Sequence, residues 1–157
     1  MKIIYSDQKP EFDMLSIFLA GPTYRSGDEI ISDSFWRKDA IKIFEKLQFD
    51  GIVFVPELKD SLKWNYDNQV EWEFECLENC TVIAFWVPRD LKNLPAFTTN
   101  VEFGRYVGNN KTVYGRPENS VKNRYLDWLY MKLKPNKKPH NNLSALLEES
   151  ILMAKNN

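Results

Sequence analysis

The chain reads as a doubly wound α/β domain: about five mostly parallel strands with helices on both faces. Three features of the sequence point there. Short apolar runs alternate with segments of helical period along most of the chain. The apolar runs are continuous rather than alternating, as in strands covered on both sides. Prolines, glycines and polar residues collect just after the runs, where open parallel sheets bind their ligands.

In chain order, "KIIYS" and "SIFLAG" are short runs rich in β-branched residues and read as strands. "DSFWRKDAIKIFEKLQ" then sets Phe35, Trp36, Ala40, Ile43, Phe44 and Leu47 on one helical stripe. Gly51 breaks the pattern. "IVFVPE" follows as a strand, "NYDNQVEWEFECLENC" as a helix, "TVIAFWVP" as a strand, "TNVEFGRYVGN" as a helix and "KTVYGRP" as a strand. "VKNRYLDWLYMKL" and "LSALLEESILMAKN" close the chain as helices. Between them "KPNKKPH", residues 134–140, has two prolines that cannot continue a helix and reads as a surface link. No internal repeat or low-complexity segment divides the chain, so residues 1–157 are expected to form one domain.

Charge narrows the partners. Lys and Arg total 21 against 22 for Asp and Glu, so no global field draws the protein to a nucleic acid polymer or an anionic membrane; a small molecule is the expected ligand. The opening "MKIIYSDQKPEF" lacks a basic segment followed by a long apolar one, and no apolar run approaches the roughly 20 residues that span a bilayer, which predicts a cytoplasmic protein. Cys76 and Cys80 share a helical face without good disulfide geometry, and His140 is the one histidine. Both cysteines read as reduced core residues, and no metal site is expected.

The residues leaving the strands are Gly21-Pro22-Thr23-Tyr24-Arg25, Pro56-Glu57, Pro88-Arg89-Asp90 and Gly115-Arg116-Pro117. Arg25, Arg89 and Arg116 would gather with several hydroxyls at one rim, as an anion or sugar-hydroxyl site, or would pair with surface acids. Gly21-Pro22 would let a ligand approach the backbone closely. Tyr24, Trp64 and Tyr66 are aromatic candidates for stacking on a base, Tyr24 foremost; Trp86, inside a strand run, belongs to the core.

The stretch "PAFTTNVEFGRYV", residues 95–107, has two meanings. Thr99 followed by Glu102 fits a capping box, with a helix starting near Thr99. The same stretch places Thr98, Thr99, Asn100 and a carboxylate at the ligand rim, with free helix N–H groups aimed there.

Seven strings in order, "SIFLAGP", "SFWRKDA", "VFVPE", "NQVEWE", "FWVPRD", "LPAFTTNVEFG" and "VYGRP", resemble the nucleoside 2-deoxyribosyltransferase-like family from about Ser16 to Asp127. The resemblance implies a flavodoxin-like fold and cleavage or transfer at the N-glycosidic bond of a 2′-deoxynucleoside or its 5′-monophosphate, without a cofactor. It implies a nucleoside or nucleotide and a free base as partners, in an enzyme that commonly associates into a homo-oligomer. It makes Glu102 the nucleophile, stabilising the oxocarbenium-like C1′ and collapsing onto it as an ester. By spacing on the preceding helix, Glu73 becomes the acid that protonates or positions the base. Gly21, Pro22, Tyr24, Arg25, Arg89, Asp90, Thr98, Thr99 and Asn100 are the expected substrate-binding set. One departure stands out: the better-known transferases carry an aspartate where this chain has Ala96, and the nearest acid is Asp90. Arg89 would then contact a phosphate or a base carbonyl. A module of the same fold that binds a nucleotide without cleaving it is the alternative.

Overall fold

Five short runs, most of them apolar, form a sheet in the computed structural model, which describes residues 1–24, 35–59 and 65–156. The elements are β1 (Lys2–Tyr5), β2 (Ser16–Ala20), α1 (Trp36–Lys46), β3 (Ile52–Val55), α2 (Tyr66–Asn79), β4 (Val82–Trp86), α3 (Phe97–Tyr106), β5 (Thr112–Gly115), α4 (Arg124–Leu133) and α5 (Leu143–Asn156). The strand order is β1-β3-β2-β4-β5 and every pairing is parallel. This is the flavodoxin-like α/β architecture. Every residue of β2, β3, β4 and β5 is buried, as continuous apolar strands require.

Alternate strand residues feed two cores. Ile17, Leu19, Val53, Ala84 and Val113 pack under α1 and α5, through Trp36, Phe44, Leu146 and Leu147. Phe18, Phe54, Ile83, Phe85 and Tyr114 pack on the other face under α2, α3 and α4, through Trp72, Cys76, Phe103 and Tyr130. Burial holds both cysteine thiols well above their ordinary pKa, and neither is in a disulfide.

Two local expectations change. Phe35, assigned to the buried stripe of α1, precedes the helix and is exposed, because α1 begins at Trp36. The link at 134–140 ends stitched to the sheet: His140 N–H donates to the Tyr114 carbonyl (3.0 Å) and its own carbonyl accepts from Arg116 N–H (2.8 Å). His140 and Lys137 then both hold Glu149 of α5, which their hydrogen bonds and charges pull down to a pKa of about 2.

The chain steps outward from β2 to β3, then returns across β2 to β4. The direction of winding therefore reverses between β2 and β4, and a crevice is expected beyond their carboxyl ends.

Candidate active site

The floor of that crevice is the turn after β2. Gly21 has φ +153°, and a Cβ there would lie 2.1 Å from the Trp86 carbonyl oxygen, so only glycine fits against the end of β4. The turn is held from beneath by Arg37 of α1, which is 2% exposed. Its Nε donates to the Leu19 carbonyl (3.1 Å), Nη2 to Gly21 (2.6 Å), and Nη1 to the Pro22 carbonyl (3.3 Å), Thr23 Oγ1 (3.0 Å) and Glu57 Oε1 (2.7 Å). Trp36 Nε1 adds a bond to the Pro22 carbonyl (3.1 Å). A planar fork of five donors suits this convergence of carbonyls, where an ammonium would not.

Arg37 lies in a string quoted above, yet its role escaped the sequence. The available signal was a cation at i with Ala40 and Phe44 at i+3 and i+7, inside a buried stripe. Charge at such a position needs partners, and here they are the backbone of the β2 turn and Glu57.

On the opposite sheet face, α2 supplies Glu73. Asn65 caps the helix by accepting from Asn68 N–H (3.2 Å), and Gln69, Trp72 and Cys76 turn inward. Gln69 Nε2 donates to Glu73 Oε1 (2.6 Å) and to the Pro56 carbonyl (3.1 Å), fixing the carboxylate one turn away. Of the neighbouring acids, Glu71 and Glu75 are exposed, and Glu78 is engaged by Arg105 (2.9 Å) and Tyr106 (2.6 Å).

Glu102 comes from α3, and its setting differs from the one its sequence implied. The helix begins at Phe97, after Ala96 in a left-handed conformation (φ 60°) that provides no side-chain cap. Thr99 is buried in the first turn and Glu102 falls in the second, so the capping box does not form. Glu102 therefore lies beyond the free N–H groups of the helix start. Burial and the negative charge of Glu73 push its pKa up to about 7, with Arg37 opposing. Glu73 is also raised by burial, against the Gln69 bond and Arg37. Two half-buried carboxylates and one buried guanidinium thus share a single field, contributed by α3, α2 and α1.

The remaining residues of the expected set separate. Gly21 and Pro22 belong to the Arg37-bound turn, and Tyr24 follows it, half-buried. Asp90 is exposed and closes its own turn, accepting from Lys92 N–H (2.9 Å) and Asn93 N–H (2.7 Å). Arg89 points to the α4 side of α3, donating to the Lys122 carbonyl (3.2 Å) and to Asn100 Oδ1. Thr98 is exposed and Thr99 buried. Arg116 pairs with Asp127 (2.7 Å), so Arg89 and Arg116 are each held locally instead of sharing one rim. Arg25 and Trp64 lie outside the described residues.

A doubly wound α/β protein with a carboxylate pair near its winding reversal is the class that fold and geometry define. The chain matches the family model described as nucleoside 2-deoxyribosyltransferase like over residues 14–119, and it belongs to that family. At the level of the family this means glycosyl-transfer chemistry on small-molecule nucleosides. No curated protein matches the chain. Among the described residues no helix is long and apolar enough to cross a membrane.

Proposed function

We propose that the protein breaks the N-glycosidic bond of a 2′-deoxynucleoside or its 5′-monophosphate, with Glu102 as nucleophile and Glu73 as the acid serving the leaving base. The observation that supports this most is the raised pKa of Glu102, driven by burial and then by the negative charge of Glu73. Like charges in a partly dehydrated site resist double ionisation, so over an interval of pH the pair holds one proton. The raised pKa of Glu102 favours the shared proton there at rest; the form that reacts has that proton transferred to Glu73 and the negative charge on Glu102.

Glu102 attacks C1′ as the bond from C1′ to the base nitrogen breaks, and the base leaves with the proton of Glu73. The product is a deoxyribosyl ester on Glu102. A second base, or water, then attacks C1′ from the vacated face, gives its proton to Glu73 and frees Glu102, with net retention. Arg37 need not touch substrate; it holds the Gly21-Pro22 turn and tempers the field on both acids.

The surface beside the pair supports association. Tyr66, Val70 and Phe74 of α2 and Phe97 and Val101 of α3 are all exposed, and Arg105 of α3 lies 5.0 Å over the Phe74 ring, tying the two helices into one face. A second copy covering this face would shelter Glu73 and Glu102; sedimentation velocity at several concentrations tests it.

The deciding experiment is incubation with each 2′-deoxynucleoside and its 5′-monophosphate, with and without a second free base, followed by chromatography of the bases. Released or exchanged base is expected, with a deoxyribosyl adduct on the peptide containing "TTNVEFGR" in rapidly quenched samples. Ligand that raises the melting temperature but is never consumed would replace catalysis with non-catalytic nucleotide binding.

A further inference from the structure

The side of α3 turned toward α4 carries a second cavity, of about 260 Å³, with Arg89, Asn100, Gly104, Lys122, Tyr125 and Leu129 in its lining. Its polar end is unusual in charge. Arg89 is 9% exposed, yet no acidic side chain pairs with it among the described residues. Arg37, Arg105 and Arg116 each have one, in Glu57, Glu78 and Asp127. The Arg89 side chain donates to one carbonyl and one amide oxygen, and its buried Nε has no acceptor. A guanidinium removed from water without a counter-charge is costly, and an anion would offset that cost. Lys122 adds a second positive charge at the edge of the same cavity.

The body of the cavity is apolar, formed by Phe103, Leu126 and Leu129 with the ring of Tyr125. Its openness depends on Gly104. Glycine inside a helix costs about 1 kcal/mol relative to alanine, and a Cβ at 104 would meet no atom within 4 Å. Packing therefore does not require glycine there; the empty groove is what a side chain would occupy.

We propose that the groove between α3 and α4 binds a small organic anion, a carboxylate or phosphate monoester on a ring-sized apolar body, with Arg89 holding the charge. Helical spacing turns Glu102 away from the Asn100 and Gly104 face of α3, so the groove is separate from the carboxylate pair.

Calorimetric titration with benzoate and with phenyl phosphate tests the proposal and separates the two anion types, with benzyl alcohol as the neutral probe and inorganic phosphate as the probe without a body. Saturable binding of at least one organic anion is expected, at least tenfold tighter than either control. Arg89→Met and Gly104→Leu should each weaken it tenfold or more. Gly104→Leu keeps the guanidinium, and its Cβ would meet no atom within 4 Å, so it stays informative if the arginine variant folds poorly. Absence of saturable binding, equal binding of benzyl alcohol, or parental affinity in Gly104→Leu would each overturn the proposal. So would a change of oligomeric state in Gly104→Leu, which would assign the groove to a second copy of the chain.

Discussion

Glu149 and Glu102 are the same side chain in opposite circumstances. On α5, Glu149 accepts from His140 and Lys137 and is pulled down to a pKa of about 2, so it is ionised at any ordinary pH. On α3, Glu102 is half-buried beside Glu73 and pushed up to about 7. The first carboxylate is neutralised by partners and fastens the 134–140 link to the body of the protein. The second is left partly uncompensated, which costs stability and, in the mechanism proposed above, supplies reactivity. Glu149 is matched with opposite charges, whereas Glu102 is set against its own kind.

The largest effect expected from breaking this contrast is at Glu102 itself. Glu102→Gln should fold and bind nucleoside yet lose turnover by ~10³-fold or more in steady-state assays, because an amide neither carries the charge nor forms the ester. An unchanged rate of base release would remove Glu102 from the mechanism.

Glu73→Gln comes next. General acid help is typically worth ~10²- to 10⁴-fold, so ordinary bases should leave that much more slowly, while substrates with a good leaving group are largely spared. The parent should show a bell-shaped pH profile, falling above about 7 as the pair loses its last proton. In Glu73→Gln the like charge is gone, Glu102 ionises at lower pH, and the fall above 7 should disappear for activated substrates. A fall that persists would deny Glu73 its role as acid.

Stability gives smaller effects of opposite sign. A carboxyl group raised in the folded state favours folding most when protonated, below its ordinary pKa near 4.5, and that contribution is lost as pH rises through about 7. Glu102→Gln should therefore be more stable than the parent at pH 8, by on the order of 2 kcal/mol, and little different at pH 4. Glu149, lowered in the folded state, contributes above about 4.5 and loses that contribution as pH falls through about 2. Glu149→Gln should cost about 1–2 kcal/mol at pH 7, with the difference shrinking toward pH 2, measured as urea midpoints. Two variants shifting in the same direction at neutral pH would break the contrast.

The smallest expected effect is at Ala96, whose left-handed conformation starts α3. Ala96→Gly should raise stability by about 0.5–1 kcal/mol, since glycine removes the Cβ clash at some cost in chain entropy. Loss of stability in that variant would show that the Ala96 methyl, buried in the core beside α3, contributes more than its strain costs.

Much of the fold was legible because strands covered on both faces must be apolar throughout: "SIFLA" and "VIAFW" show no alternation, and both proved central. Glu73 and Glu102 were brought forward by the family resemblance, which marks an acid on the helix before β4 and a carboxylate on the helix after it. The start of α3 was misplaced because an alanine in the left-handed region carries no sign of it in its residue type. Arg37 was missed because its partners are mostly carbonyls, which every residue has. Arg89 is held by Ser120, Lys122 and Asn100, partners distant in sequence that no periodicity encodes.

The all-parallel sheet also governs how the protein comes into being. Register joins Lys2 to Ile52, Ile17 to Val82 and Ile83 to Thr112, so no two strands can meet through a hairpin and each pairing must close a long loop first. During synthesis β2 waits for β4, and the crevice between them has no walls until the ribosome has passed Trp86. Chains of this kind gather speed slowly and expose unpaired strand edges while they do so. Amide protons in β3, β2 and β4, flanked by neighbours on both sides, should then be the last to exchange, opening only when the whole sheet opens.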